Sequence, residues 1–271
     1  MNKLFILSLL LQTATFVISP NIDAELTSYS VTSQFENKSN LSNYLFKHNK
    51  EFTKYYKKEN NIFVFSNDES TSNLLKHVAN KSYKQIAHDL NLNIIKRDDI
   101  EVVIFVINNH LWTKLGLPVD VSAFYYKSFN EIYVRIHGNE NDVFVSLIHE
   151  MTHLVIDNMD RKVPLWFEEG LSQYEPQIYE NKKNLKKTTY YTKYELKKIA
   201  NENDLDLERL VNVYDYSYSN KKLFYELSYQ LIKFIHTTGS LKRFSYLYLI
   251  KGVDLLSSLS QSTDYVSKVT I

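Results

Sequence analysis

His149 and His153 stand four residues apart, and Glu150 directly follows the first of them. On a helix that spacing puts both imidazoles on one face, aimed at one point. Neutral imidazole nitrogen is a ligand for zinc, which in catalytic sites takes three protein ligands and keeps one position for water. Glu150 flanks such an ion and reaches the water rather than the metal. Zinc lowers the pKa of that water toward ~7. A neighbouring carboxylate can then take the proton and later deliver it to a leaving amine. Amide hydrolysis needs both transfers, because the amide resists unactivated water and its nitrogen must be protonated to leave. Asp157, four residues after His153, is placed where a carboxylate can orient a ligand imidazole. The stretch Pro164-Leu165-Trp166-Phe167-Glu168-Glu169-Gly170-Leu171-Ser172-Gln173-Tyr174 follows, with two adjacent carboxylates available as a third ligand.

These groups need a helix to carry them and a core to hold it. Val143, Val145, Leu147, Ile148, Met151, Leu154, Val155 and Ile156 make the helix around the histidines apolar on most sides, as a buried helix should be. Asn139 or Asn141 can cap it, Asp142 suits its first turn, and it should end near Asp157-Asn158. Upstream, Ile62–Phe65 predicts a short strand, and apolar positions from Leu74 to Leu90 predict a helix over about 70–92. The β-branched run Ile100–Ile107 predicts a central strand. Trp112 and Leu115 predict a loop or short helix ended by Gly116 and Pro118. Ala123–Tyr126 and Ile132–Ile136, joined by Ser128-Phe129-Asn130, predict an antiparallel hairpin. Before the sheet, Leu41, Tyr44, Leu45, His48 and Phe52 keep helical spacing and predict a helix over about 39–57. After Glu169 the chain is polar, with 7 Lys between Asn181 and Lys198. Two amphipathic helices should follow, one marked by Phe224, Leu227, Leu231 and Phe234, the other by Phe244, Leu247, Leu249 and Ile250 beyond Gly239.

Bulk composition excludes several classes of function. The 271 residues are 44% apolar, enough for one sizeable core or a domain in two lobes. Net charge is +1 and the basic residues are mostly Lys, so no electrostatic case exists for nucleic acid. The chain has no Cys, which excludes disulfides, thiolate nucleophiles and Cys-ligated zinc. Any metal must be held by His and carboxylates. At the N-terminus, Lys3 precedes an apolar run from Leu4 to about Ile18. That run is short of the ~20 residues of a spanning helix and reads as a secretory signal, cleaved near Ala24. Export without Cys fits a bacterial secreted or cell-surface protein, with no stable membrane insertion after cleavage.

The pattern Pro-x-Trp-x-x-Glu-Gly-x-Ser-x-Tyr after His-Glu-x-x-His resembles the gluzincin zinc metallopeptidases, and among them the compact peptidase MA-like group. The specific part covers 149–174, and the order of elements resembles the family over about 61–265. The resemblance implies an α+β fold: a thermolysin-like core with a small mixed sheet and active-site helix, then a helical C-terminal lobe. It implies one zinc ion held by His149, His153 and Glu169, the Glu before Gly, with Glu168 as the fallback. Glu150 is then the general base. Leu223-Phe224-Tyr225-Glu226-Leu227-Ser228-Tyr229 resembles the family's downstream helix and makes Tyr225 the candidate oxyanion stabiliser, with Tyr229 one turn on. An aromatic packing stripe is the competing reading of both tyrosines. The resemblance also implies substrate held by strand addition, along 121–127 or 131–137. The gap from His153 to Glu169 is shorter than in zinc aminopeptidases, and no Gly-x-Met-Glu-Asn-like segment is present to bind a free amino terminus, which favours an endopeptidase.

The sequence thus predicts a signal peptide over 1–24 and an N-terminal helical or pro-segment over 25–60. An α/β lobe with the zinc helix follows over 61–158, then a helical lobe with the third ligand over 159–271. The expected partner is a peptide or protein substrate, with weak cell-wall contact through the Lys-rich 181–198. The rival expectation is a catalytically inactive binding protein of the same fold at the cell surface. His48, His77, His88, His110, His137 and His236 lack a matching partner pattern and read as surface or packing residues.

Overall fold

The computed structural model describes residues 41–42, 44–45, 55–59, 61–92, 102–159, 161–181 and 221–262. The predicted leader, most of 25–60, His48 and the Lys-rich stretch beyond Asn181 lie outside these residues. The class is α+β. A five-stranded mixed sheet has the order β1-β2-β3-β5-β4, with β1 Tyr55–Glu59, β2 Ile62–Ser66, β3 Val102–Asn108, β4 Ala123–Tyr126 and β5 Glu131–Ile136. The helices are α1 Glu69–Asp89, α2 Asn109–Lys114, α3 Glu140–Asp157, α4 Leu165–Asn181, α5 Lys221–Thr238, α6 Leu241–Ser245 and α7 Leu255–Ser262. Among the described residues no helix is long and apolar enough to cross a membrane.

Chain contacts define two units. One comprises the described residues up to Tyr83 with those of 95–157; the other comprises those of 84–94 and those from Asn158 onward. The first contains the sheet. Its middle strands β2, β3 and β5 are parallel, and β1 and β4 close the two edges antiparallel. One aromatic from each of four strands falls in register across it: Phe65 opposite Phe105, Phe105 opposite Tyr133, Tyr133 opposite Phe124. Their rings stack with centroids 5.6, 5.0 and 4.8 Å apart. Such cross-strand pairs are what tie neighbouring strands together and fix register. Trp112 of α2 sits edge-on to Phe124 and donates its indole N–H to the Pro118 carbonyl at 2.9 Å. Leu45, Leu115 and Leu117 complete this side of the core.

Helix α3 packs on β4 and β5. Asn139 is its cap, accepting at Oδ1 from the N–H groups of Asn141 and Asp142. Asp142 returns a bond by accepting from the Asn139 N–H at 3.3 Å, a reciprocal box that satisfies helix-end donors. Asn141 therefore lies inside the helix. Apolar positions on nearly every side of α3 are buried, from Val143 to Ile156.

Two expectations fail in this unit. Residues 41–42 and 44–45 are helical, but the predicted helix does not run to Lys57, because Tyr55–Glu59 is strand β1. The cause is the short connection after Glu59. Asn61 takes a left-handed φ of 62°, and Glu59 comes to pair with Ile62, so the chain doubles back as a hairpin. The segment 131–137 is also no sheet edge, since β5 lies between β3 and β4.

In the second unit α4 and α5 pack along each other. Gly170 sits at their closest approach: a Cβ there would lie 2.5 Å from the Ser228 carbonyl oxygen and 2.9 Å from the Ile232 side chain. The start of α4 is held by aromatics. Phe167 stacks on Phe244 at 6.0 Å, and Trp166 meets Phe244 and Tyr248 at 6.4 and 5.9 Å. Arg161, just before α4, donates to the Leu249 and Ile250 carbonyls at 3.0 and 2.5 Å. The predicted helix through Phe244 and Ile250 is not regular. It breaks into α6 and a π turn over Tyr246–Ile250, closed by Lys251 N–H to Tyr246 carbonyl at 2.9 Å. The wider turn accommodates the aromatic packing around Tyr248. Helix α7 follows and was not expected from the spacing.

Candidate metal centre

Helix α3 delivers the two histidines on one face. Their Nε2 atoms lie 3.1 Å apart, with His153 fully buried and His149 half-buried. Two ligands each about 2.0–2.1 Å from a tetrahedral zinc are separated by roughly 3.3 Å. The imidazole pair is therefore already at ligand spacing. Two unprotonated nitrogens facing each other at this distance would repel, so a proton or a cation belongs between them.

Glu169 of α4 completes the set. Its carboxylate and the two imidazoles offer ligand atoms that all lie within 4.8 Å of one another. Glu169 is fully buried, while its neighbour Glu168 is half-buried and is not in the group. Of the two carboxylates, Glu169 is the one in the group. A His149, His153 and Glu169 group at this separation could hold a metal ion. The surroundings fit a cation: among the described residues no Lys or Arg is buried, although Glu150 and Glu169 are.

Glu150, on the same helix as the histidines, is 5% exposed, and its Oε2 has no hydrogen-bond partner among the described residues. Burial pushes its carboxyl up to about 7, against the charge of His153 and a hydrogen bond from the Tyr125 backbone, which both pull it down. Glu150 is thus a buried carboxylate next in sequence to His149.

No family model and no curated protein matches this chain.

The other predicted residues divide. Tyr229 is buried with its ring 5.9 Å from that of Tyr174, and Lys233 Nζ lies over its outer side at 5.8 Å. Tyr225 is half-buried one turn before Ser228, the residue whose carbonyl faces Gly170. Asp157 does not serve as expected. Its carboxylate accepts from the Tyr125 hydroxyl at 3.0 Å and from the Lys127 ammonium, both on the β4 side of the fold. The four residues from His153 to Asp157 put them on one helix face, but the carboxylate there finds the strand. His137 shares a hydrogen bond with Ser122, His88 with Asp89 and His236 with the Tyr174 hydroxyl. Tyr125 is the residue that sequence reasoning missed as part of the site. It read only as strand, because nothing in its spacing marks a contact with Glu150, 25 residues later.

Proposed function

We propose that this protein is a secreted zinc-dependent peptidase of the gluzincin type, acting as an endopeptidase. The observation that carries the reading is the group of His149, His153 and Glu169 with Glu150 buried beside the two histidines. Zinc in that group would supply a Lewis acid that polarises a carbonyl and acidifies water. His149, His153 and Glu169 would hold it. Glu150 takes a proton from the attacking water and returns it to the departing amide nitrogen. Tyr225 donates a hydrogen bond to the developing oxyanion. The outward backbone groups of Ala123 on edge strand β4, which Glu150 does not occupy, pair with the extended substrate backbone, the role that interior β5 cannot take. The N-terminal apolar run supports export, which places peptides and unfolded proteins outside the cell as substrates.

The test is metal analysis of the purified chain together with the Glu150→Gln variant, assayed on a peptide library with and without chelator. Wild type should carry one zinc per chain and lose cleavage on chelation. Glu150→Gln should keep the zinc and lose about 10²–10⁴-fold in turnover. A chain without zinc removes the metal reading. Cleavage by Glu150→Gln at the wild-type rate removes Glu150 as the base. Tight peptide binding with no cleavage by wild type would point to the non-catalytic binding protein.

A further inference from the structure

Strand β4 is an edge strand, and the pattern of its ladder says which of its groups face outward. Ser122 accepts from the Arg135 N–H at 2.8 Å, and Phe124 stands opposite Tyr133. Hydrogen-bonded and non-bonded pairs alternate along an antiparallel ladder. Positions 122, 124 and 126 therefore bond to β5, and the N–H and C=O groups of Ala123 and Tyr125 turn to the free edge. The Tyr125 backbone hydrogen-bonds to the Glu150 carboxylate there. The same residue is fixed at its other end. Its side chain is fully buried, and its hydroxyl bonds to Asp157 Oδ2 at 3.0 Å and lies 3.1 Å from Asn130 Oδ1. Asp157 is the last residue of α3, and its other oxygen takes the Lys127 ammonium from the turn after β4. Asn130, in the same turn, has a left-handed φ of 52°.

We infer that Tyr125 is a positioning residue for Glu150: it ties the edge strand to α3 at two points, its backbone at Glu150 and its hydroxyl at Asp157. The two points lie about two turns apart on α3, so together they fix both the offset and the tilt of the strand against the helix. The ladder to β5 holds the inner side of β4; losing the Asp157 bond loosens its outer side, and with it the Glu150 carboxylate bonded there. Proton transfer depends on holding the base within hydrogen-bond reach of its target, so a small displacement costs turnover rather than binding. The consequence for turnover rests on the peptidase reading; the clamp itself does not.

The experiment compares Tyr125→Phe and Asp157→Asn with wild type in two measurements. Amide hydrogen exchange at position 125 should speed up at least tenfold in both variants, while the amide of Val134, on the side of β5 that faces β3, keeps its wild-type rate. On a quenched-fluorescence peptide library, kcat should fall about tenfold at unchanged KM and unchanged zinc content. Wild-type exchange at position 125 in both variants overturns the clamp. Faster exchange with wild-type kcat overturns the positioning of Glu150. If wild type itself cleaves nothing, the peptidase reading fails, and exchange at position 125 still decides the clamp.

Discussion

Helix α3 and helix α4 each contribute to the metal group, but they are built in opposite ways. On α3 the two histidines and Glu150 lie within five residues, so one helix turn puts the imidazoles on a common face, where their nitrogens lie 3.1 Å apart. On α4 only Glu169 is involved, and its place depends on how that helix packs within its own unit. Gly170 lets α5 approach until only hydrogen fits, and Phe167 and Trp166 seat the first turn against Phe244 and Tyr248. The Trp-x-x-Glu-Gly stretch is thus mostly packing, with one carboxylate of the candidate metal group embedded in it. A local arrangement survives any change that keeps the helix, whereas a packed one is sensitive to single methyl groups.

That contrast can be broken from either side. The largest effect on stability should come from Phe105→Ala, which removes the middle of the aromatic ladder under β4 and β5 and should cost about 3–5 kcal/mol in urea unfolding. The imidazole spacing should survive in whatever fraction stays folded; loss of zinc from that folded fraction would show that α3 needs the ladder for more than stability. Gly170→Ala comes next. A Cβ 2.5 Å from the Ser228 oxygen must push α4 and α5 apart, and overpacking of this kind costs roughly 1–3 kcal/mol. Zinc affinity, measured by competition with a chelating dye, should fall about tenfold; unchanged affinity would mean that Glu169 does not depend on the helix contact. Asn139→Ala removes the cap of α3 and should cost ~1 kcal/mol while leaving zinc affinity near wild type, because the histidines sit more than a turn from that end.

The smallest effect concerns pH. Burial holds the Glu131 carboxyl above its usual range, although hydrogen bonds with Tyr133 and Ser42 oppose this. The folded chain therefore keeps this proton at a pH where the unfolded chain, with a carboxyl near ~4.3, has lost it. The stability contributed is complete below about pH 4.3 and declines as pH rises through the folded value. Glu131→Gln, which stays neutral, should flatten that decline in urea midpoints taken across pH. Parallel curves for the two proteins would remove Glu131 as the source.

Most of the framework was legible because it is periodic. Alternating and continuous apolar runs marked β2 to β5, and the apolar surround of His149 marked α3, to within a few residues. Strand β1 was not legible as a strand. Its sequence, Tyr-Tyr-Lys-Lys-Glu, forms an edge only because Asn61 turns the chain back onto β2. The π turn at Tyr246–Ile250 was hidden for a similar reason, since local spacing still reads as helix there while packing widens it.

By itself, the sequence determined the chemistry available: a cysteine-free chain with His149 and His153 on one helix face, Glu150 directly after the first of them, and two following carboxylates. Helical geometry is local, so spacing was sufficient. Only the tertiary structure decided that Glu169 rather than Glu168 joins the group, that Tyr229 packs, and that Asp157 serves Tyr125 instead of a histidine. Those choices are made between residues far apart in the chain, where burial and the direction of neighbouring side chains select one partner among several that the spacing allows.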